Sequence, residues 1–352
     1  MNTRTSISRA PVTRHTSRRI RRLAVITTLL AIILMTIVVL TFVNASRLMR
    51  EPAKPLDTFT SNILPAFRLA SFPSLDEQSK LHGWFFPAKG DPVSTIILVH
   101  AQGRNRLQFD LDSAGLYEFL INQHFNVLAF DLRRSGQSEG EMSGYGYAEW
   151  ADVLAAIKYV RKNTTTRDVL LFGFGTGTSA ALIALDQLPP AGLVAAAAGK
   201  DDTAANALKK YAKEIQNLGF DQSYIRGLLL DTPCVSPDAF IQADCRQEST
   251  LGRWLLQYTV PYAIRLSSGG VAQANLITIL TRSQLPVFIS YSSADNQVGV
   301  EHITPLIDER LRLHPDTTVV HTNKQVGSVS GYLQDQEAYQ SAISNYFQRF
   351  FQ

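Results

Sequence analysis

Cysteine is almost absent from this chain: Cys234 and Cys245 are its whole complement among 352 residues. That count excludes a scaffold built from disulfides and a four-thiolate zinc centre. His82, His100, His124, His302, His314 and His321 fall in no metal-ligand spacing, so neither a metal nor a cofactor is expected. Acidic side chains are missing from residues 1–22, which carry Arg4, Arg9, Arg14, Arg18, Arg19, Arg21 and Arg22. Everything after them holds 27 of the 34 basic residues and all 30 acidic ones. The sequence pI near 9.0 therefore describes a tail and not a basic face on the domain. Beyond residue 50 no stripe of basic and aromatic residues appears, and nucleic acid is not expected as a partner.

Charge is also missing from Leu23–Val43, LAVITTLLAIILMTIVVLTFV. At 1.5 Å per residue this run makes a helix of roughly 30 Å, enough to cross a hydrocarbon core. An uncleaved single-pass anchor is the reading this length favours. A signal peptide is the alternative, with an apolar core of about 7–15 residues and Asn44-Ala45-Ser46 as a weak cleavage site. Arg18, Arg19, Arg21 and Arg22 crowd the amino-terminal flank, against Arg47, Arg50 and Lys54 on the other. The more basic side stays cytoplasmic, which predicts a cytoplasmic amino terminus and an extracytoplasmic domain at the cell membrane. The expected division is a basic tail over 1–22, a transmembrane helix over 23–43, a linker over 44–60 and one folded domain over 61–352. In an extracytoplasmic domain an even cysteine count suggests a Cys234–Cys245 disulfide, stabilising by roughly 2–3 kcal/mol. Two free thiols are the alternative.

Hydrophobic residues make up 45% of the chain, enough for a large single core. Short apolar runs alternate with helical stretches, which predicts a mostly parallel sheet covered on both faces. Val169–Phe174 enters Gly173-Phe174-Gly175-Thr176-Gly177 and a helix follows, giving strand, sharp turn, helix. Thr95–Val99 ends at His100-Ala101-Gln102-Gly103, and Val127–Phe130 enters Asp131-Leu132-Arg133-Arg134-Ser135-Gly136. These three strand ends resemble the α/β-hydrolase superfamily of serine hydrolases, esterases and aminopeptidases, whose nucleophile sits in G-x-S-x-G. The resemblance implies an α/β-hydrolase fold with a helical insertion or lid, placed at about 191–220 and 238–280. It further implies main-chain oxyanion donors at Gln102 and Thr176, and structural ion-pair roles for Asp131 and Arg133. Arg104 and Arg106 are expected to be solvated.

The resemblance also places the acid of a Ser-His-Asp triad at Asp295, after the strand Pro286–Tyr291. The base maps onto Gln325 in Gln325-Val326-Gly327-Ser328, and the nucleophile onto Gly175. Glycine has no oxygen to attack with and glutamine accepts no proton near neutral pH. The expectation is thus a membrane-anchored domain with a degenerate triad, serving as a scaffold or as a binding surface for a small molecule or protein. The alternative is a hydrolase of ester or peptide bonds with an unconventional nucleophile. Thr176 and Ser179 are the hydroxyls, and His321 the imidazole, that such an enzyme would have nearby.

Overall fold

A computed structural model of the chain describes residues 14–56, 62–192, 211 and 213–352. Most of the insertion expected at about 191–220, and the first part of the basic tail, lie outside these described residues. The strands are β1 (Arg68–Pro73), β2 (Lys80–Phe86), β3 (Ser94–Val99), β4 (Phe125–Phe130), β5 (Val169–Phe174), β6 (Ile225–Asp231), β7 (Val287–Ala294) and β8 (Thr318–Val326). They form one eight-stranded sheet in the order β1-β2-β4-β3-β5-β6-β7-β8. β2 pairs antiparallel with β1 and β4, and every other pairing is parallel.

The helices are α1 (Arg14–Met49), α2 (Ser113–Asn122), α3 (Trp150–Asn163), α4 (Thr176–Gln187), α5 (Pro237–Glu248), α6 (Gln257–Ser267), α7 (Leu276–Arg282), α8 (Thr304–Leu313), α9 (Gly331–Gln334) and α10 (Gln336–Phe350). The central strands are buried along their whole length because both faces are covered. Alternation divides them: Ile97, Val99, Leu128, Phe130 and Leu171 join the core under α3 and α4. Ile96, Leu98, Val127, Ala129, Leu170 and Phe172 join the one that contains Leu120 of α2 and Phe347 of α10. The expected mostly parallel sheet with helices on both faces is the observed architecture.

α1 contains the 23–43 run and is long and apolar enough to cross a membrane. It does not stop at Val43 but continues to Met49, so the first residues of the expected linker are helical. Ala45, Leu48 and Met49 are buried against the domain, which explains the continuation: the last turns have an apolar surface to cover. The expected lid region 238–280 contains α5, α6 and α7.

The expected disulfide is not formed. Cys234 and Cys245 are both free and buried. The segment between them winds into α5 from Pro237 onward. From Pro237 to Cys245 the helix advances eight steps, about 12 Å, carrying Cys245 away from its start, whereas a disulfide needs Cα atoms about 4.4–6.8 Å apart. Each thiol instead packs as a small apolar group. Burial pushes the Cys245 thiol up to about 12 and the Cys234 thiol well above its ordinary value. Both should therefore resist alkylation by iodoacetamide at pH 8 in the folded protein and react together only on unfolding. Rapid labelling of either in the native state would contradict this.

Asp131 and Arg133 do carry buried ion pairs, each with a partner of its own. Asp131 accepts from the Arg106 guanidinium at 2.6 Å and from the main-chain N–H groups of Arg106 and Gln137 at 2.7 Å each. Arg133 donates to Asp152 through Nε at 3.0 Å and Nη2 at 2.7 Å. Arg106 is thus not solvated: its side chain is 1% exposed and lies over the Trp84 ring.

Candidate functional site

Several chain segments meet at the carboxyl end of the sheet, around the turn between β5 and α4. Gly175 forms this turn with φ 51° and ψ −119°, a conformation that L side chains seldom adopt. Its N–H donates to the Asp231 carbonyl at 2.9 Å, tying the turn to the end of β6. A Cβ added at 175 would lie 3.3 Å from Ala101 Cβ, 3.4 Å from Val329 Cγ2 and 4.0 Å from Phe240 Cε1. The apex is therefore roofed by three apolar side chains, one from the loop after β3, one from α5 and one from the loop after β8.

On one flank, the Gln102 N–H donates to Thr176 Oγ1 at 2.7 Å. The two expected oxyanion-loop residues are thus in contact, with the Gln102 donor engaged by the threonine hydroxyl. His100 is locked below them: Nε2 accepts from the Leu132 N–H at 3.0 Å and Nδ1 lies 2.8 Å from the Ala101 carbonyl. Burial lowers its pKa, which keeps the ring neutral in this anchoring role. The open space lined by His100, Ala101, Gln102 and Thr176 is about 10 Å³, room for about one water. A much larger cavity of about 960 Å³ lies elsewhere, between α3, α4 and α7, and is not lined by Gly175, Asp295 or Ser328.

On the other flank stands Asp295, just beyond β7. Its Oδ1 accepts from the N–H groups of Gln297 at 2.9 Å and Val298 at 3.0 Å, which pins the loop. Its Oδ2 accepts from the Ser328 hydroxyl at 2.5 Å. Gln325, the expected partner, lies within β8 instead. The reason is strand length. The sequence suggests a strand over 286–291, whereas β7 runs on and pairs with β8 as far as Ala294 and Val326. The loop therefore begins at Gly327, and the residue delivered to Asp295 is Ser328.

Val329 follows with φ 52°, and Thr232, after β6, has φ 59°. Both are β-branched residues in a left-handed conformation, a real strain, and both sit beside the apex. The Val329 N–H donates to Thr232 Oγ1 at 3.0 Å, holding the two strained residues together. Ser179 is fully buried in the first turns of α4, away from this cluster. His321 is half-buried in β8 with its ring edge-on to Tyr339 at 5.8 Å.

Behind the turn, Asp231 is 1% exposed and accepts from the hydroxyls of Tyr339 and Thr232 at 2.7 and 3.1 Å. Burial nevertheless raises its pKa to about 7, outweighing both hydroxyls. The sign follows directly: unfolded chains lose this proton near pH 4 and folded ones near 7, so stability falls as pH rises across that window. The effect is roughly 4 kcal/mol at full extent. We expect Asp231→Asn to leave the thermal midpoint of the detergent-solubilised chain nearly unchanged at pH 4.5 and to raise it by several degrees at pH 8. An equal shift at both pH values would contradict this.

Comparison with known proteins bears on what this arrangement is for. The chain matches the Alpha/beta hydrolase family over residues 96–337. The Pyrococcus furiosus esterase Pf2001 superposes with a TM-score of 0.60 at 17% identity, covering 86% of this chain and 99% of that one. The α/β hydrolase GrgF from Penicillium sp. sh18 superposes at 0.53 with 13% identity, covering 81% and 99%. A curated relative, the uncharacterized protein YfhR of Escherichia coli O157:H7, is 32% identical over 117 residues, 31% of this chain. The match spans only 38% of that relative's length. The expectation of a non-catalytic scaffold or binding domain, a pseudoenzyme, is corrected by these findings: the whole-domain likenesses are to an esterase and a hydrolase.

Proposed function

Since this chain belongs to the alpha/beta hydrolase family, we propose that it hydrolyses ester or peptide bonds of a small-molecule substrate with an attacking group that is not at the elbow apex. Gly175 occupies the position where the family carries its serine, so the triad in its usual form is incomplete. The attacking group is Ser328 and its base is Asp295. The observation that carries this reading is the 2.5 Å hydrogen bond from the Ser328 hydroxyl to Asp295 Oδ2. A nucleophile within reach of a base that is itself held in place is the arrangement acyl transfer requires. Asp295 meets the second condition because Oδ1 is fixed by two main-chain N–H groups.

In the reaction, Ser328 Oγ bonds to the acyl carbon as its proton passes to Asp295 Oδ2. The carbonyl oxygen takes the negative charge, and the N–H groups of Gln102 and Thr176 are its donors once Thr176 Oγ1 releases the first of them. The leaving alcohol or amine departs with the proton from Asp295; a water then attacks the acyl carbon as its proton passes to Asp295, the acyl–Oγ bond breaks, and Ser328 Oγ takes the proton back as the acid leaves. Phe240 and Val329 roof the apex, so substrate entry requires α5 to move. Carboxylate is a weaker base than imidazole, which predicts modest turnover.

The division of the chain belongs to the same proposal: a basic tail over 1–22, a membrane anchor over 23–43 and a hydrolase domain outside the cell membrane, with the amino terminus inside. The test is turnover by the purified full chain on a panel of p-nitrophenyl esters and aminoacyl amides. Ser328→Ala and Asp295→Asn should each lower the rate at least about 100-fold, the scale of a lost nucleophile or base. Wild-type rates in Ser328→Ala would overturn the assignment.

A further inference from the structure

The outer face of the lid carries an apolar stripe that the hydrolase reading leaves unused. Trp254, Tyr258, Tyr262 and Leu266 recur every fourth residue through the turn before α6 and along α6 itself, and are 77, 62, 68 and 61% exposed. That spacing puts them on one side of the helix. Val260, Ala263 and Ile264 form the opposite side and are buried in the core. Four large side chains in line, exposed among the described residues and covered only by the Arg265 guanidinium over the Tyr262 ring, make a face of the kind that marks an interaction surface.

The position of α1 says what covers it. The last turns of α1 pack against α6: Thr41 is buried and donates a hydrogen bond from Oγ1 to Thr259 Oγ1 at 2.8 Å. Farther along, Arg47 pairs with Glu248 at the end of α5. Thr41 lies inside the uncharged run that ends at Val43, about 3 Å before its end at 1.5 Å per residue. Thr259, bonded to it, is therefore at the same depth. Tyr258 is its chain neighbour and Tyr262 lies one turn on, so the middle of the stripe sits at the level where the anchor leaves the hydrocarbon. Tryptophan and tyrosine favour that level because their rings are apolar and their N–H or O–H groups reach water.

We infer that the Trp254-Tyr258-Tyr262-Leu266 face of α6 is seated in the headgroup–acyl boundary of the bilayer that α1 crosses, so the domain lies on the membrane surface with its lid against lipid. This rests on the anchor reading above. It gives the stripe an occupant of one chemistry, a phospholipid surface, and makes α6 an interfacial amphipathic helix packed against a spanning one.

The test is site-directed spin labelling of the full chain in phosphatidylcholine–phosphatidylglycerol vesicles, comparing accessibility to oxygen with accessibility to a water-soluble nickel chelate. Labels replace Tyr258 and Tyr262 (Y258C, Y262C), both exposed, with Ile33→Cys in α1 and Leu313→Cys as references. Leu313 ends α8 where the chain turns back into β8, at the opposite end of the sheet from the lid. The native cysteines are buried and do not compete. Labels at 258 and 262 should favour oxygen over nickel, as at 33, while 313 shows the reverse ratio. Nickel-accessible labels at 258 and 262 beside an oxygen-favouring label at 33 would overturn the docking alone; a nickel-accessible label at 33 would overturn the anchor with it. Labels at 258 and 262 shielded from both reagents would mean a protein partner or second copy, which also overturns the lipid assignment. Bromolipid quenching of tryptophan fluorescence checks the unlabelled protein: it should be strong in the wild type and largely lost in Trp254→Phe.

Discussion

Replacing Gly175 with serine and Ser328 with histidine together is expected to raise p-nitrophenyl ester turnover at least about 100-fold above either single variant. Ser328→His alone removes the attacking hydroxyl, and Gly175→Ser alone adds a serine with no imidazole. Nucleophile and base act as a unit, so only the pair should show the gain. The histidine belongs at 328 because that is the residue whose side chain meets Asp295 Oδ2. The serine must tolerate φ 51°, at a cost of about 1–2 kcal/mol for an L residue, and a Cβ 3.3 Å from Ala101 Cβ and 3.4 Å from Val329 Cγ2. Those contacts need neighbours to yield by a few tenths of an ångström. Ala101→Gly removes the tighter one and is the background in which to repeat the experiment if the serine variant is unstable. A folded triple variant with no gain in turnover would show that 175 and 328 do not face a common substrate.

The largest effect on stability is expected from breaking the Arg106–Asp131 pair. Its side chains are 1 and 0% exposed, so neither charge has water to return to when its partner is removed. Asp131→Ala leaves a buried guanidinium, and also strands the N–H groups of Arg106 and Gln137. Removing one member of such a pair costs about 3–5 kcal/mol, a large part of the roughly 5–15 kcal/mol that holds a domain together. The melting temperature of the detergent-solubilised chain should fall by roughly 10 °C. Arg106→Met with Asp131→Asn should recover part of the loss, because no charge is left buried and the amide oxygen still accepts a main-chain bond. A double variant less stable than Asp131→Ala would contradict this account.

The sheet was legible in the sequence because its signal is local. Val169–Phe174 is an unbroken apolar run of strand length, and Gly175 follows where the backbone needs a left-handed residue. Arg106 misled because charge alone suggests solvent, and its acceptor Asp131 is 25 positions away. The thiols misled in the same way: an even count suggested a pair, but Pro237 stands at the start of α5, where proline is compatible with a helix, and the second thiol is carried along that helix. The base position depends on where β8 ends. Its last turn of pairing is set by β7 across the sheet, which no local pattern in residues 322–328 reveals. Ser328 was in view as part of a motif, but its role follows from that register.

The central claim is that Ser328 attacks the substrate. It is tested most directly by treating the purified full chain with a serine-directed organophosphorus probe, digesting it and locating the adduct by mass spectrometry. One equivalent on Ser328, abolished in Asp295→Asn and accompanied by loss of ester turnover, is the predicted result. An adduct on Thr176 or another hydroxyl, or turnover that persists with no adduct on Ser328, would contradict it.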